Sequence, residues 1–196
     1  MVRGLAYLHD EMSIIHGNLT ASNVLLDEQC NPKIAEFGLF RLMTDAANSI
    51  FLAAAGKLGY LAPELSKVEV ANAKTDVYSL GVIILELMTG KPPRDNILGM
   101  DLAQWVVSTV DEEGTSNVFA RVLRWYAEEE QLKNTLKLAL QCVDPSPSMR
   151  PEAREVLWQL EQICPGSDGG AAGRFIKKDA TLVHLEVGDR WSFYIF

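Results

Sequence analysis

The chain is 196 residues long, 48% hydrophobic and 22% charged, with a formal net charge of −8 and an isoelectric point near 4.9. That length supports one good core, hence one domain with room for an appendage. The acidic balance excludes nucleic acid as a partner, because a phosphate backbone selects basic surfaces; no apolar run approaches the roughly 20 residues of a membrane span, the longest, Leu80 to Met88, being broken by Glu86.

Residues 2–11 predict a helix with Leu5 and Leu8 on one face and Tyr7 alongside. No capping residue precedes it, which reads as a chain that begins inside a fold. Residues 24–27 and 33–35 predict two short strands with Asn31-Pro32 as the turn between them. Residues 36–64 show little periodicity. Residues 75–89 then carry apolar side chains on nearly every side, from Val77 to Met88, so this helix must lie inside a large core. Gly90 and Pro92-Pro93 end it.

Further helices are predicted at 101–110, 131–142 and 152–163. Leu136, Leu138, Ala139 and Cys142 give the second an inner face; Val156, Leu157, Leu160 and Ile163 do so for the third, with Pro151 suited to its first turn. Residues 165–179 are a glycine-rich linker by composition. The tail, 180–196, is atypical, and 180–187 with 190–196 predict a β-hairpin around Gly188-Asp189. The acidic runs at 111–113 and 128–130 read as solvated surface. Cys30, Cys142 and Cys164 lack metal-ligand spacing, and an odd count without a signal peptide predicts free, mostly buried thiols in a reducing cytosol.

The chemistry lies in His16-Gly17-Asn18-Leu19-Thr20-Ala21-Ser22-Asn23, followed thirteen residues on by Glu36-Phe37-Gly38. This spacing resembles the H-R-D-x-x-x-x-N catalytic loop and D-F-G turn of protein kinases. Gly4-Leu5-Ala6-Tyr7-Leu8-His9, Ala62-Pro63-Glu64, Asp76-Val77-Tyr78-Ser79-Leu80-Gly81 and Met149-Arg150-Pro151 extend the resemblance, in the family's order, across residues 2–163. The wording is similar to plant leucine-rich-repeat receptor-like kinases, of the inactive meristem type. The resemblance implies a mainly α fold: residues 1–164 as the large carboxy-terminal lobe of a kinase, with a short β ribbon. With no G-x-G-x-x-G or V-A-I-K ahead of His16, the expectation is a chain without the family's small amino-terminal lobe.

Residue by residue, the resemblance implies altered chemistry on a kept frame. Asn18 stands at the place of the general-base aspartate, and a carboxamide has no titratable acceptor near neutral pH. Thr20 replaces a lysine that steadies the transferring phosphate. Gly17 replaces the arginine that pairs with a phosphorylated activation segment, so a phosphate at Thr44 or Ser49 loses that partner. Asn23 and Glu36 keep a degenerate ATP–Mg²⁺ site on paper, yet the extra methylene of Glu36 displaces its carboxylate from near-octahedral Mg²⁺ geometry. His16 and Phe37, followed by Gly38, correspond to an internal hydrophobic stack. Asp76 corresponds to the acceptor of the loop's backbone amides, and Glu64 with Arg150 to a buried ion pair. His9 and His184 read as surface or packing residues.

These readings predict a cytoplasmic pseudokinase lobe, part of a receptor at the plasma membrane. It would work by protein recognition through residues 40–64 and the helices after residue 100, with signalling proteins or co-receptor kinases as partners. Two alternatives stand beside this: a working serine/threonine kinase that binds ATP, with the chain an incomplete copy, and a truncated gene product with no role. A missing lobe also predicts exposed apolar surface on the first helix and around the catalytic loop.

Overall fold

A computed structural model describes residues 1–42, 56, 58–67, 70–94, 99–120, 123, 127–165, 186–187 and 190–191. The fold is mainly helical, with α1 (Val2–Asp10), α2 (Ala73–Thr89), α3 (Leu102–Glu113), α4 (Glu129–Cys142) and α5 (Ala153–Ile163). Strands β1 (Val24–Leu26) and β2 (Pro32–Ile34) form an antiparallel ribbon with Leu25 opposite Lys33. Glu186–Val187 and Arg190–Trp191, β3 and β4, pair antiparallel across the predicted hairpin turn. The rest of the tail and the glycine-rich linker from residue 166 lie outside the described residues.

The core is built around α2, as its all-round apolar sequence requires. Val77, Leu80 and Leu85 have no exposed surface, and only Glu86 and Leu87 in its last turns are partly open. Burying side chains of this size contributes about 1.5–3 kcal/mol each before entropy is counted. α4 lies against α2, offering Leu132, Leu136, Leu138, Ala139 and Cys142. The approach depends on Gly81: a Cβ there would stand 2.6 Å from Cys142 Cβ, 2.8 Å from Val143 Cγ1 and 3.1 Å from the Ala139 carbonyl. α1 packs antiparallel on α5, with Arg3 meeting Glu161 at 2.9 Å and Arg154 meeting Asp10 at 2.6 Å. Exposed pairs of this kind contribute about 0–1 kcal/mol, so they fix register more than stability.

The structure departs from the sequence reading at several points. Pro32 opens β2, and the turn falls instead over Asp27–Asn31. There the Asp27 carboxylate accepts from the Gln29 amide at 3.0 Å, the Asn31 amide at 2.8 Å and Asn31 Nδ2 at 3.1 Å, an Asx arrangement that makes the turn without proline. Tyr7 does not join Leu5 and Leu8 inside; it is exposed, and His9, four residues after Leu5, takes the inner position.

The cysteines also differ from expectation. Cys30 and Cys164 are exposed, and Cys142 alone is buried, its thiol pushed up to about 12 by burial. A maleimide reagent is therefore expected to label two thiols in the native chain and the third only after denaturation. Mass spectrometry that finds Cys142 modified as fast as Cys30 would contradict this packing.

Candidate functional site

Residues 16–23 form a loop between α1 and β1, ending in a 3₁₀ turn over Ala21–Asn23. Its shape is set from α2. Asn72 starts that helix: its Oδ1 accepts from the Lys74 and Thr75 amides, and Thr75 Oγ1 accepts from the Asn72 amide. This capping box fixes the first turn and, with it, Asp76. That carboxylate is 1% exposed and accepts from the His16 amide at 2.7 Å, the Gly17 amide at 2.8 Å and His9 Nε2 at 2.9 Å. A carboxylate is stable in such a place only when paired and hydrogen-bonded. The three donors meet that demand and hold the loop in return.

Proton positions follow from these bonds. A carboxylate only accepts, so His9 carries its hydrogen on Nε2, which leaves its buried Nδ1 without a partner. His16 Nδ1 accepts from the Asn18 amide at 3.3 Å, so its Nε2 donates to the Ala35 carbonyl at 3.0 Å. His16 is thus an internal spacer between loop and ribbon. Gly17 turns at φ 76, a left-handed conformation that strains any residue with a Cβ by about 1–2 kcal/mol. Gly17→Ala is therefore expected to lower stability in urea by about 1 kcal/mol, with no change in the slope of the transition.

Asn18 is half-buried, and Thr20 is buried with Oγ1 against Ser22 Oγ at 2.8 Å. Both line a narrow cleft with Tyr60, Leu61 and Leu65. Across it, Tyr60 donates its hydroxyl to Glu86 and Ser79 Oγ donates to the Tyr60 carbonyl at 2.9 Å, which fastens this segment to α2. Burial raises the Glu86 carboxyl above its ordinary value, against the opposing pull of the Tyr60 hydroxyl and Arg94. Among the described residues the one carboxylate lining the cleft is Asp76, whose Oδ2 accepts from His16 and His9 and whose Oδ1 accepts from Gly17. At the position of Asn18 the cleft therefore offers a hydroxyl substrate a neutral carboxamide, while the Asp76 carboxylate is engaged in holding the loop.

Arg150 is 1% exposed and donates to both Glu64 oxygens, at 2.7 and 2.8 Å. It also donates to the carbonyls of Asp144 at 2.8 Å and Lys74 at 3.0 Å, and lies 4.9 Å from the centre of the Tyr78 ring. The clamp joins the Ala62-Pro63-Glu64 segment to the turn before α5.

The remaining site residues are less assembled. Asn23 Nδ2 donates to the Asn18 carbonyl at 3.0 Å, leaving one carboxamide oxygen as a neutral ligand. Glu36 is exposed at φ 59, a left-handed position that favours short Asp or Asn over longer side chains. Phe37, expected in an internal stack with His16, is 48% exposed, and the residues on either side of it, Glu36 and Gly38, are both at positive φ. Leu25 and Leu39 nearby in sequence are exposed as well. Thr44 and Ser49 lie outside the described residues.

Magnesium takes six ligands, commonly one or two carboxylates with phosphate and water. Here one unfixed carboxylate and one carboxamide oxygen are on offer, and among the described residues no three His, Cys, Asp or Glu side chains gather. This donor set does not fit a metal held by the protein.

The loop, its buried aspartate and the Glu64–Arg150 clamp occur in the order of one family, and the protein kinase domain model matches residues 1–160. The chain belongs to the protein kinase family. It is 59% identical over 167 residues to an Arabidopsis thaliana protein described as a probable leucine-rich repeat receptor-like protein kinase, IMK3, covering 84% of this chain and 21% of that one. Among solved structures it resembles the kinase domain of maize sucrose-induced receptor kinase 1 bound to AMP-PNP, at a TM-score of 0.75 and 38% identity, over 83% of this chain and 55% of that one. It also resembles the pseudokinase domain of BIR2, an immune regulator of the RLK/Pelle family, at 0.70 and 33%, over 83% and 49%. The chain thus spans about a fifth of that curated relative and about half of each solved kinase chain.

Sequence reasoning missed His9. Its four-residue spacing from Leu5 was the available signal, since it places the imidazole on the buried face of α1. Among the described residues no helix is long and apolar enough to cross a membrane.

Proposed function

We propose that residues 1–164 act as the carboxy-terminal lobe of a plant receptor-like pseudokinase, working by protein recognition on the cytosolic side of the plasma membrane. In this reading residues 165–179 are a linker and 180–196 a separate tail. The observation that carries it is Asn18, a carboxamide at the base position, in a loop still held by Asp76. A positioned base contributes about 10²–10⁴-fold in rate, and Thr20, bonded to Ser22, offers no charge for a transferring phosphate. The likeness to the BIR2 pseudokinase supports the same reading. Partners would be signalling proteins or co-receptor kinases.

The maize neighbour, bound to AMP-PNP, favours a second reading in which the family's use of ATP and Mg²⁺ survives in a longer product. One assay separates them. The chain is incubated with γ-labelled ATP, Mg²⁺ and a generic serine peptide, alongside Asn18→Ala. No transfer by either protein is expected; labelling that disappears with Asn18→Ala would establish the active enzyme instead.

A further inference from the structure

The surface of α1 and α5 carries an unused pattern. The two helices run antiparallel, pinned at one end by Arg3 to Glu161, 2.9 Å, and at the other by Arg154 to Asp10, 2.6 Å, and to Glu11, 3.3 Å. Helical spacing sets Arg3, Tyr7 and Glu11 in one stripe and Arg154, Trp158 and Glu161 in the facing one. Tyr7 and Trp158 stand midway between the bridges, 57% and 60% exposed. An aromatic centre with a charged rim has the anatomy of a protein interface, and tyrosine and tryptophan are residues on which binding energy concentrates.

The rim decides the partner. At one end α1 is positive (Arg3) and α5 negative (Glu161); at the other α1 is negative (Asp10, Glu11) and α5 positive (Arg154). Signs therefore alternate around the four corners. Rotating a copy by half a turn, about an axis in the plane of the face along or across the helices, lays every positive corner on a negative one. A patch that complements itself under a two-fold rotation meets the condition for an isologous contact. This is unusual on a chain of net charge −8, most of whose surface would repel its own copy.

We propose that the α1–α5 face, centred on Tyr7 and Trp158, is where two copies of this chain associate. Nine residues of helix are about 14 Å long and two helices about 20 Å wide, so the face projects about 300 Å², well under the ~800 Å² per partner of a standard interface. The dimer is accordingly weak, reversible and salt-sensitive, since its rim pairs remain near water.

Sedimentation equilibrium of the 196-residue chain over a concentration series, at low and high salt, tests this. A monomer–dimer equilibrium that weakens with salt is expected. Tyr7→Ser and Trp158→Ser, both at solvent-facing positions, should weaken it by about 30-fold. Val70→Ser, at a still more exposed apolar residue before α2, should leave it unchanged; circular dichroism melts show whether each variant is folded. A chain that stays monomeric throughout, a dimer indifferent to both aromatic substitutions, or one dissolved equally by Val70→Ser overturns the proposal. Docking of a different protein on this face would give the first of these results.

Discussion

Arg150→Met is expected to destabilise the chain by about 3–5 kcal/mol, the cost of leaving one member of a buried ion pair without its partner. The side chain is 1% exposed and its guanidinium reaches both Glu64 oxygens and the carbonyls of Asp144 and Lys74. A loss of that size removes a large share of the roughly 5–15 kcal/mol that holds a typical domain together. Urea denaturation followed by far-ultraviolet circular dichroism reads it directly. Replacing Glu64 as well should recover part of the loss, because two apolar side chains leave no stranded charge; the carbonyls of Asp144 and Lys74 stay deprived, so recovery is incomplete. A double variant as unstable as the single one would place the importance of Arg150 in those carbonyls alone.

The same pair gives a pH dependence. Burial pushes the Glu64 carboxyl upward, but the Arg150 hydrogen bonds, a backbone amide and the guanidinium charge outweigh it and leave the pKa below its ordinary value. A carboxyl depressed on folding stabilises the native state fully above its unfolded pKa, and that contribution is lost as pH falls through the folded value. Denaturation midpoints should therefore decline on acidification through the lower carboxylate range. Glu64→Gln should show less of that decline from a lower starting stability.

The second large effect is expected at Gly81. In a helix interior alanine is favoured over glycine by about 1 kcal/mol, so Gly81→Ala would be stabilising if the site were open. It is not: the new Cβ meets Cys142 Cβ at 2.6 Å and Val143 Cγ1 at 2.8 Å, and the Ala139 carbonyl is backbone that cannot rotate away. Overpacking of this kind costs about 1–3 kcal/mol, and with three neighbours from one helix end the upper part of that range applies. A thermal melt of Gly81→Ala should show a lower midpoint, and pairing it with Cys142→Gly should restore part of the difference. A neutral or raised midpoint would show that α2 and α4 slide apart freely.

Much of this fold could be read from the sequence. The α2 pattern allowed no exposed face, and nearly all of the helix is buried. Helix boundaries at α2 and α3 fell within a few residues because Gly90 and Asp101 mark them by local chemistry, whereas Pro151, expected in the first turn of α5, lies just before its N-cap, Glu152. The Asp76, Glu64 and Arg150 contacts were legible only through resemblance, since nothing local says that residues 60 or 86 apart will meet. What was misread depended on tertiary direction. Tyr7 and His9 are two apart on one helix, and composition alone favoured the aromatic as the inner one; the buried carboxylate of Asp76 drew the imidazole inward instead. Phe37 is half exposed, and Glu36 before it adopts a left-handed conformation that its residue type does not announce.

Asp76 grips the loop by main-chain amides at His16 and Gly17, groups that nineteen of the twenty amino acids supply alike. Side-chain identity at position 18, unlike the left-handed glycine at position 17, is thus largely uncoupled from the architecture, and drift there can erase a reaction while the scaffold survives. Proline is the exception: Gly17→Pro would delete a donor and forbid the positive φ at once. A protein engineer could for the same reason treat position 18 as a vacant socket on a rigid mount, open to a new nucleophile or acid.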